Sequence, residues 1–103
     1  MAVTTKVNAK RILADVPEQN WFWCHDGNQL KNMAELEMAL KQMSDETFRY
    51  HLNQNKNDFS TWVRDVIGDE ELASDLQDSS TRAQAARYVS DRISRIKRQT
   101  ATR

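Results

Sequence analysis

Glycine and proline are scarce in this chain, two of the first and one of the second in 103 residues. β-Sandwiches and barrels turn often and draw on both residues, so the scarcity predicts helices joined by short links. There is one cysteine, Cys24, which excludes an internal disulfide and suits a reducing compartment. Cys-x2-Cys and His-x3-His spacings are lacking, as is any glycine-rich phosphate loop. Charge has no excess of either sign, with 15 basic and 15 acidic residues, which excludes bulk attraction to polyanions. No run approaches the roughly 18 apolar residues of a membrane span, and the first residues lack the apolar core of a signal peptide. The expectation is a soluble cytoplasmic protein with no membrane partner.

What is present is clearest between Phe48 and Ile67. Phe59, Trp62, Val63, Val66 and Ile67 recur at helical spacing and form one apolar stripe. Asp58 or Asn57 stands where an N-cap belongs, and Gly68 where a left-handed C-terminal residue belongs. Phe48, His51 and Leu52 share a second, shorter helical face. Between them Gln54-Asn55-Lys56-Asn57 has nothing apolar to bury and reads as a surface connector.

Along the rest of the chain, residues 1–18 read as a flexible arm, ended by Pro17. Trp21-Phe22-Trp23-Cys24 favours a strand. Asp26-Gly27 is a two-residue hairpin signal, returning as a short strand over 29–31. A helix running straight from 28 to 43 is the competing reading. Asn32-x-x-Glu35 resembles a capping box and opens a helix with Met33, Leu36, Leu40 and Met43 on one face. Ser44 followed by Asp45 and Glu46 starts another, over about 45–53 on terminus signals alone. Asp69-Glu70-Glu71 opens a short helix carrying Leu72, Ala73 and Leu76. Thr81-x-x-Gln84 opens a long one ending near 98, with Ala86, Val89, Ile93 and Ile96 as its buried line. Residues 100–103 read as a frayed tail.

The fold class expected is therefore mostly α (small α+β), one domain over 19–99, with four to five short helices and one N-terminal β-hairpin. The predicted core is Trp21 or Phe22, Trp23, Leu36, Leu40, Phe48, Leu52, Phe59, Trp62, Val63, Val66, Leu72, Leu76, Val89 and Ile93.

Chemistry-bearing residues are few. His25 and His51 are the only histidines, and with Cys24 and Asp26 they make a metal or small-molecule site only if the hairpin turn meets the second helix. The plainer expectation packs the ring of His51 on Phe48, with one nitrogen bonded to backbone or to an asparagine. Cys24 lacks the base and oxyanion site of a nucleophile, since a neighbour in a strand faces the other way. Trp21 and Trp23 share one strand face, Phe22 and Cys24 the other, so a bare face would mark a contact surface. Trp21, Trp23, His25, Asp26, His51, Asn53 and Asp58 form the candidate interaction patch. Arg87, Arg95, Lys97 and Arg98 are candidate polyanion contacts on the basic C-terminal helix, the route to a nucleic-acid partner. An acidic run from Asp65 to Asp78 faces this basic run from Arg82 to Arg98 in composition. The two can pair within one chain or between copies.

The block from residue 21 to 76, and above all His51-x-Asn53-x-x-Lys56-Asn57-Asp58-Phe59-x-x-Trp62-Val63-Arg64-Asp65-Val66, resembles a family of small prokaryotic domains without assigned activity, found alone or fused to larger proteins. The resemblance implies a compact module suited to docking, and carries over no catalytic, cofactor or binding residue. With no catalytic constellation in the sequence, the expected function is a non-enzymatic protein–protein interaction module that needs no cofactor. Nucleic-acid binding through 81–98 is the alternative, and a ligand or metal site near His25 and His51 ranks below it.

Overall fold

The computed structural model describes the backbone of residues 6–101 and the side chains of 9–99. Six α-helices and one two-stranded antiparallel sheet make up the described chain: α1 (Lys6–Leu13), β1 (Phe22–Trp23), β2 (Gln29–Leu30), α2 (Met33–Gln42), α3 (Asp45–His51), α4 (Asp58–Trp62), α5 (Glu70–Gln77) and α6 (Arg82–Ala101). The protein is mostly α with a small β part, in the class the sequence predicts.

The starts of α2 to α6 each have a polar side chain to explain them. Asn32, Ser44, Asn57 and Asp69 each accept a hydrogen bond from the backbone N–H three residues on, satisfying a donor that the helix leaves orphaned. Thr81 does the same for Gln84. The reciprocal bonds of Glu35 and Gln84 reach one residue further back than a capping box requires, to the N–H groups of Lys31 and Ser80.

α6 is the spine. Ala85, Val89 and Ile96 on it are fully buried, and it packs against α2, α1 and α5. Leu36 and Leu40 of α2 and Leu72 and Leu76 of α5 close the core from either side. Toward α4, Phe59 lies between Phe22 and Phe48, stacked at centroid separations of 5.3 and 5.7 Å. This aromatic cluster carries the hairpin.

The structure departs from the sequence reading in several places, and Leu52, expected in the core, is only half-buried. The expected arm is, from residue 6, a helix whose Ala9 and Ile12 are buried in the core. Two apolar residues one helical turn apart sufficed because α6 offers a surface to receive them. The expected frayed tail continues α6 through Ala101, and 102–103 lie outside the described residues. The single helix over 58–67 is instead α4 followed by a π turn, Val63–Ile67, closed by Gly68 N–H to Val63 O at 2.8 Å. The wider turn rotates the stripe, so Ile67 is buried while Val66 is half-buried.

The hairpin turn holds three residues rather than two. Phe22 faces Leu30, Trp23 faces Gln29, and Cys24 N–H bonds to Asn28 O at 2.8 Å, which leaves 25–27 as the connection, closed by Gly27 N–H to Cys24 O at 2.9 Å. Within this turn only Gly27 takes a positive φ, +95°. Asp26 instead accepts from Asn28 N–H at 3.0 Å. That local bond favours an Asx turn and a bulge over a mirror-image two-residue turn. Finally, Trp23 is not core: it is 59% exposed, on the face opposite Phe22 and Cys24. Phe22, not Trp21, is the buried member of the pair.

Candidate functional site: the aromatic hairpin and its histidine

His51 ends α3 and is 4% exposed, packed between Phe22 and Phe59 at 4.9 and 5.4 Å, with Tyr50 edge-on at 5.0 Å. Both ring nitrogens are engaged. Nε2 accepts from the backbone N–H of His25 at 2.9 Å, and Nδ1 lies 2.9 Å from Asp58 Oδ2. A nitrogen that accepts carries no proton, so the neutral ring holds its proton on Nδ1 and donates it to Asp58. The ring packs on Phe22 and Phe59 rather than on Phe48; one nitrogen meets backbone, as expected, and the other a carboxylate rather than asparagine.

An imidazole oriented by a carboxylate is half of a general-base arrangement. Here the nitrogen that would take a substrate proton faces a main-chain amide inside the protein. The geometry ties structure together: it pins the hairpin loop to the junction of α3 and α4.

Around that tie lies a stack at the surface. The ring of His25 lies 4.0 Å from that of Tyr50, tilted by 12°, and Lys56 Nζ stands 4.4 Å from the Tyr50 centroid. Lys56 also reaches Asp58 Oδ2 at 3.0 Å, the oxygen that His51 uses. Asn53 closes the connector. Its amide donates to Arg49 O and Tyr50 O, and its carbonyl accepts from Asn55 N–H. Asn57 caps α4 and donates to Leu76 O at 3.0 Å, joining the connector to α5. Trp62 donates to Asn20 O at 2.8 Å and Trp21 to Val16 O at 3.0 Å, so two indoles fasten the segment before β1. The most distinctive stretch of the sequence, His51 to Trp62, is thus one structural knot, in which the side chains of His51, Asn53, Lys56, Asn57, Asp58, Ser60 and Trp62 each hold a specific partner.

Of the seven residues in the sequence-derived patch, His25, His51 and Asp58 are brought together, with Asp26 next to His25 in the loop. Asn53 is engaged in closing the turn, Trp21 is half-buried, and Trp23 stands exposed on β1. Tyr50 and Lys56 were missed. A helix of alternating polar and aromatic residues gave no way to see that Tyr50 would meet a loop residue 25 positions earlier in sequence.

Cys24 is buried, and burial, reinforced by the nearby Asp26 carboxylate, pushes its thiol up to about 11. A raised thiol pKa means that the folded state holds the proton more tightly than the unfolded one. The stability contributed at neutral pH is therefore lost as pH rises from about 9 toward about 11. We expect Cys24→Ala to flatten this alkaline decline relative to the parent, measured by urea midpoints across that range. Iodoacetamide at neutral pH should label Cys24 only upon unfolding.

The polyanion candidates are divided. Arg95 donates to Glu71 at 2.7 Å, which holds the Glu71 carboxyl below its ordinary range. Arg87 stands 3.9 Å from Asp91 and is largely exposed. Lys97 and Arg98 are exposed and make contacts of their own. Arg92, from the same basic run, is buried against Asp69 and also contacts Glu71 at 3.2 Å.

A cavity of about 740 Å³ lies between the end of α1, the π turn and the start of α5, with Asp69 and Arg92 in its wall. None of the sequence-derived site residues lines it. Among the described residues, no group of three or more His, Cys, Asp or Glu side chains converges as a metal requires. No helix among them is long and apolar enough to cross a membrane.

Fold and site together define a small, mostly helical domain that displays an aromatic hairpin fastened by a buried histidine. No protein-family model, no curated protein and no solved structure matches this chain.

Proposed function

We propose that this domain is a non-enzymatic protein–protein interaction module that docks through the outer face of its hairpin. The observation that carries the reading is Trp23, 59% exposed on a strand whose other face is core. Trp21 and Trp62 each donate their indole N–H to a main-chain carbonyl, whereas that of Trp23 has no partner among the described residues. A large ring held in water with an unused donor gains both apolar burial and a hydrogen bond on docking. Tryptophan is accordingly enriched among residues that dominate binding energy. His51, the histidine oriented by a carboxylate, has both ring nitrogens engaged within the protein.

Nucleic-acid binding through α6 has less support, because Arg92 and Arg95 are already committed to carboxylates within the chain. The same pairs weaken the case for self-association through the acidic and basic runs, since those runs meet inside one molecule.

The test is cross-linking at native expression, with sedimentation to read self-association, for the parent and Trp23→Ala. An exposed site predicts a stability change within about 0.5 kcal/mol. Partner recovery or self-association should fall by about tenfold or more. Absence of any partner and of any self-association in the parent rejects the reading, as does an unaffected Trp23→Ala.

A further inference from the structure

We infer that His51 is a proton-operated latch on the hairpin: neutral, it ties the loop at His25 to α3, and protonated, it releases the loop while keeping its bond to Asp58. The His25 main-chain N–H can bond only to an acceptor, and Nε2 of His51 accepts only while it carries no proton. Proton uptake turns Nε2 into a donor, so that two N–H groups face each other across 2.9 Å and the bond between them is lost. The opposite nitrogen behaves differently. Nδ1 donates to Asp58 Oδ2 in either state, and as part of an imidazolium it does so with added charge. The ring therefore stays with α4 and lets go of the hairpin.

Charged and aromatic groups surround the ring. Asp58 on α4 faces Nδ1, and the ammonium of Lys56 lies 3.0 Å from the same Asp58 oxygen. Tyr50 of α3 presents its ring edge-on, and Phe22 and Phe59 exclude water from both faces. The exposed imidazole of His25 stacks on Tyr50, with Asp26 and Cys24 beside it in sequence. Phe22, Cys24 and Leu30 still anchor the strands in the core, so release loosens the loop and leaves the domain folded. Trp23 sits two residues before the released amide, so the latch sets how rigidly that ring is presented. This consequence rests on the docking reading above, whereas the latch itself does not.

The experiment is heteronuclear NMR on the full chain without a partner, titrated from about pH 8 to about pH 5, the range in which histidines change charge. The nitrogen shifts of His51 report its protonation, and hydrogen exchange reports the residue-25 amide. His25→Ala removes the neighbouring imidazole and keeps the amide, while His51→Gln keeps an acceptor that does not titrate. In His25→Ala, exchange corrected for its intrinsic pH dependence should quicken about threefold to tenfold, the loss of one ordinary hydrogen bond. Its midpoint should coincide with that of the His51 ring, and His51→Gln should show no such step. Should His51→Gln fail to fold, the His25→Ala titration decides alone. A residue-25 amide that stays equally protected while His51 titrates overturns the latch. A His51 ring that remains neutral throughout, in a chain that stays folded, overturns it equally. Because no partner is present, failure here leaves the docking reading intact, and failure of Trp23→Ala to affect docking leaves the latch intact.

Discussion

Arg92→Ala is expected to destabilise the domain by about 3–5 kcal/mol, a large part of the roughly 5–15 kcal/mol that holds a domain of this kind together. Arg92 and Asp69 are 5% and 2% exposed. The guanidinium meets the carboxylate with two nitrogens, Nε to Oδ2 at 2.7 Å and Nη2 to Oδ1 at 3.2 Å, and its third reaches Glu71 Oε1 at 3.2 Å. The native pair gains little over a well-packed apolar pair, because desolvating both charges costs about as much as their attraction returns. Removing one partner is different. Truncation strands the Asp69 carboxylate in the interior, still accepting from Leu72 N–H at the start of α5 but without a counter-charge.

Three comparisons separate this account from simple loss of volume. Arg92→Lys restores the charge without the fork, and should recover only part of the loss. Asp69→Asn retains a capping oxygen for α5 but leaves Arg92 with Glu71 alone. Asp69→Asn combined with Arg92→Met should cost less than the sum of the single changes, since neither then strands a charge. Urea unfolding measures all of these, and added salt should change the parent little, because buried pairs are poorly screened. A loss below about 1 kcal/mol for Arg92→Ala, within the range of an exposed pair, would refute the assignment.

Phe59→Ala is the second large effect, again about 3–5 kcal/mol, from lost transfer energy and the cavity left behind. Phe59 is fully buried and touches the rings of Phe22, Phe48 and His51, so it joins the hairpin to α3 and α4. Phe59→Leu fills much of the space and should cost less. Fluorescence of the buried Trp62 follows the unfolding. A second readout separates packing from mere stability: the His25 amide should lose protection in Phe59→Ala even in the absence of denaturant, because the wall that seats the His51 ring is gone. If the alanine variant unfolds near the parent midpoint, Phe59 is not the keystone described here.

Much of the fold is legible in residue spacing because helices signal their faces and their starts locally. The stripe from Phe59 to Ile67 and the line Ala86, Val89, Ile93, Ile96 identify buried faces without reference to anything distant. Asn32, Ser44 and Thr81 mark helix starts, since a cap and its amide are three residues apart. Gly68 takes the left-handed conformation that its position after the stripe foretells, φ +90°. The strand alternation of Trp21 to Cys24 separates two faces correctly, but cannot tell whether both are covered. That depends on where α3 and α4 sit, and they cover only the side of Phe22 and Cys24.

The candidate site was half legible. His25, His51 and Asp58 stand out as polar residues in aromatic surroundings, yet whether the hairpin turn reaches α3 is a matter of long-range packing. That the acidic and basic runs can pair within one chain is legible, but nothing local marks Asp69 and Arg92 as the pair that is buried.

By itself, the sequence determined a small helical domain with one hairpin, its helix starts and most of its buried faces, because these follow from contacts within a turn or two of chain. Only the tertiary structure decided which charges are buried together, which indole is left in water, and that a histidine closing α3 accepts from a main-chain amide 26 residues away in sequence. Burial and partnership of polar groups depend on which surfaces meet. That is settled by the packing of whole elements, and no local pattern encodes it.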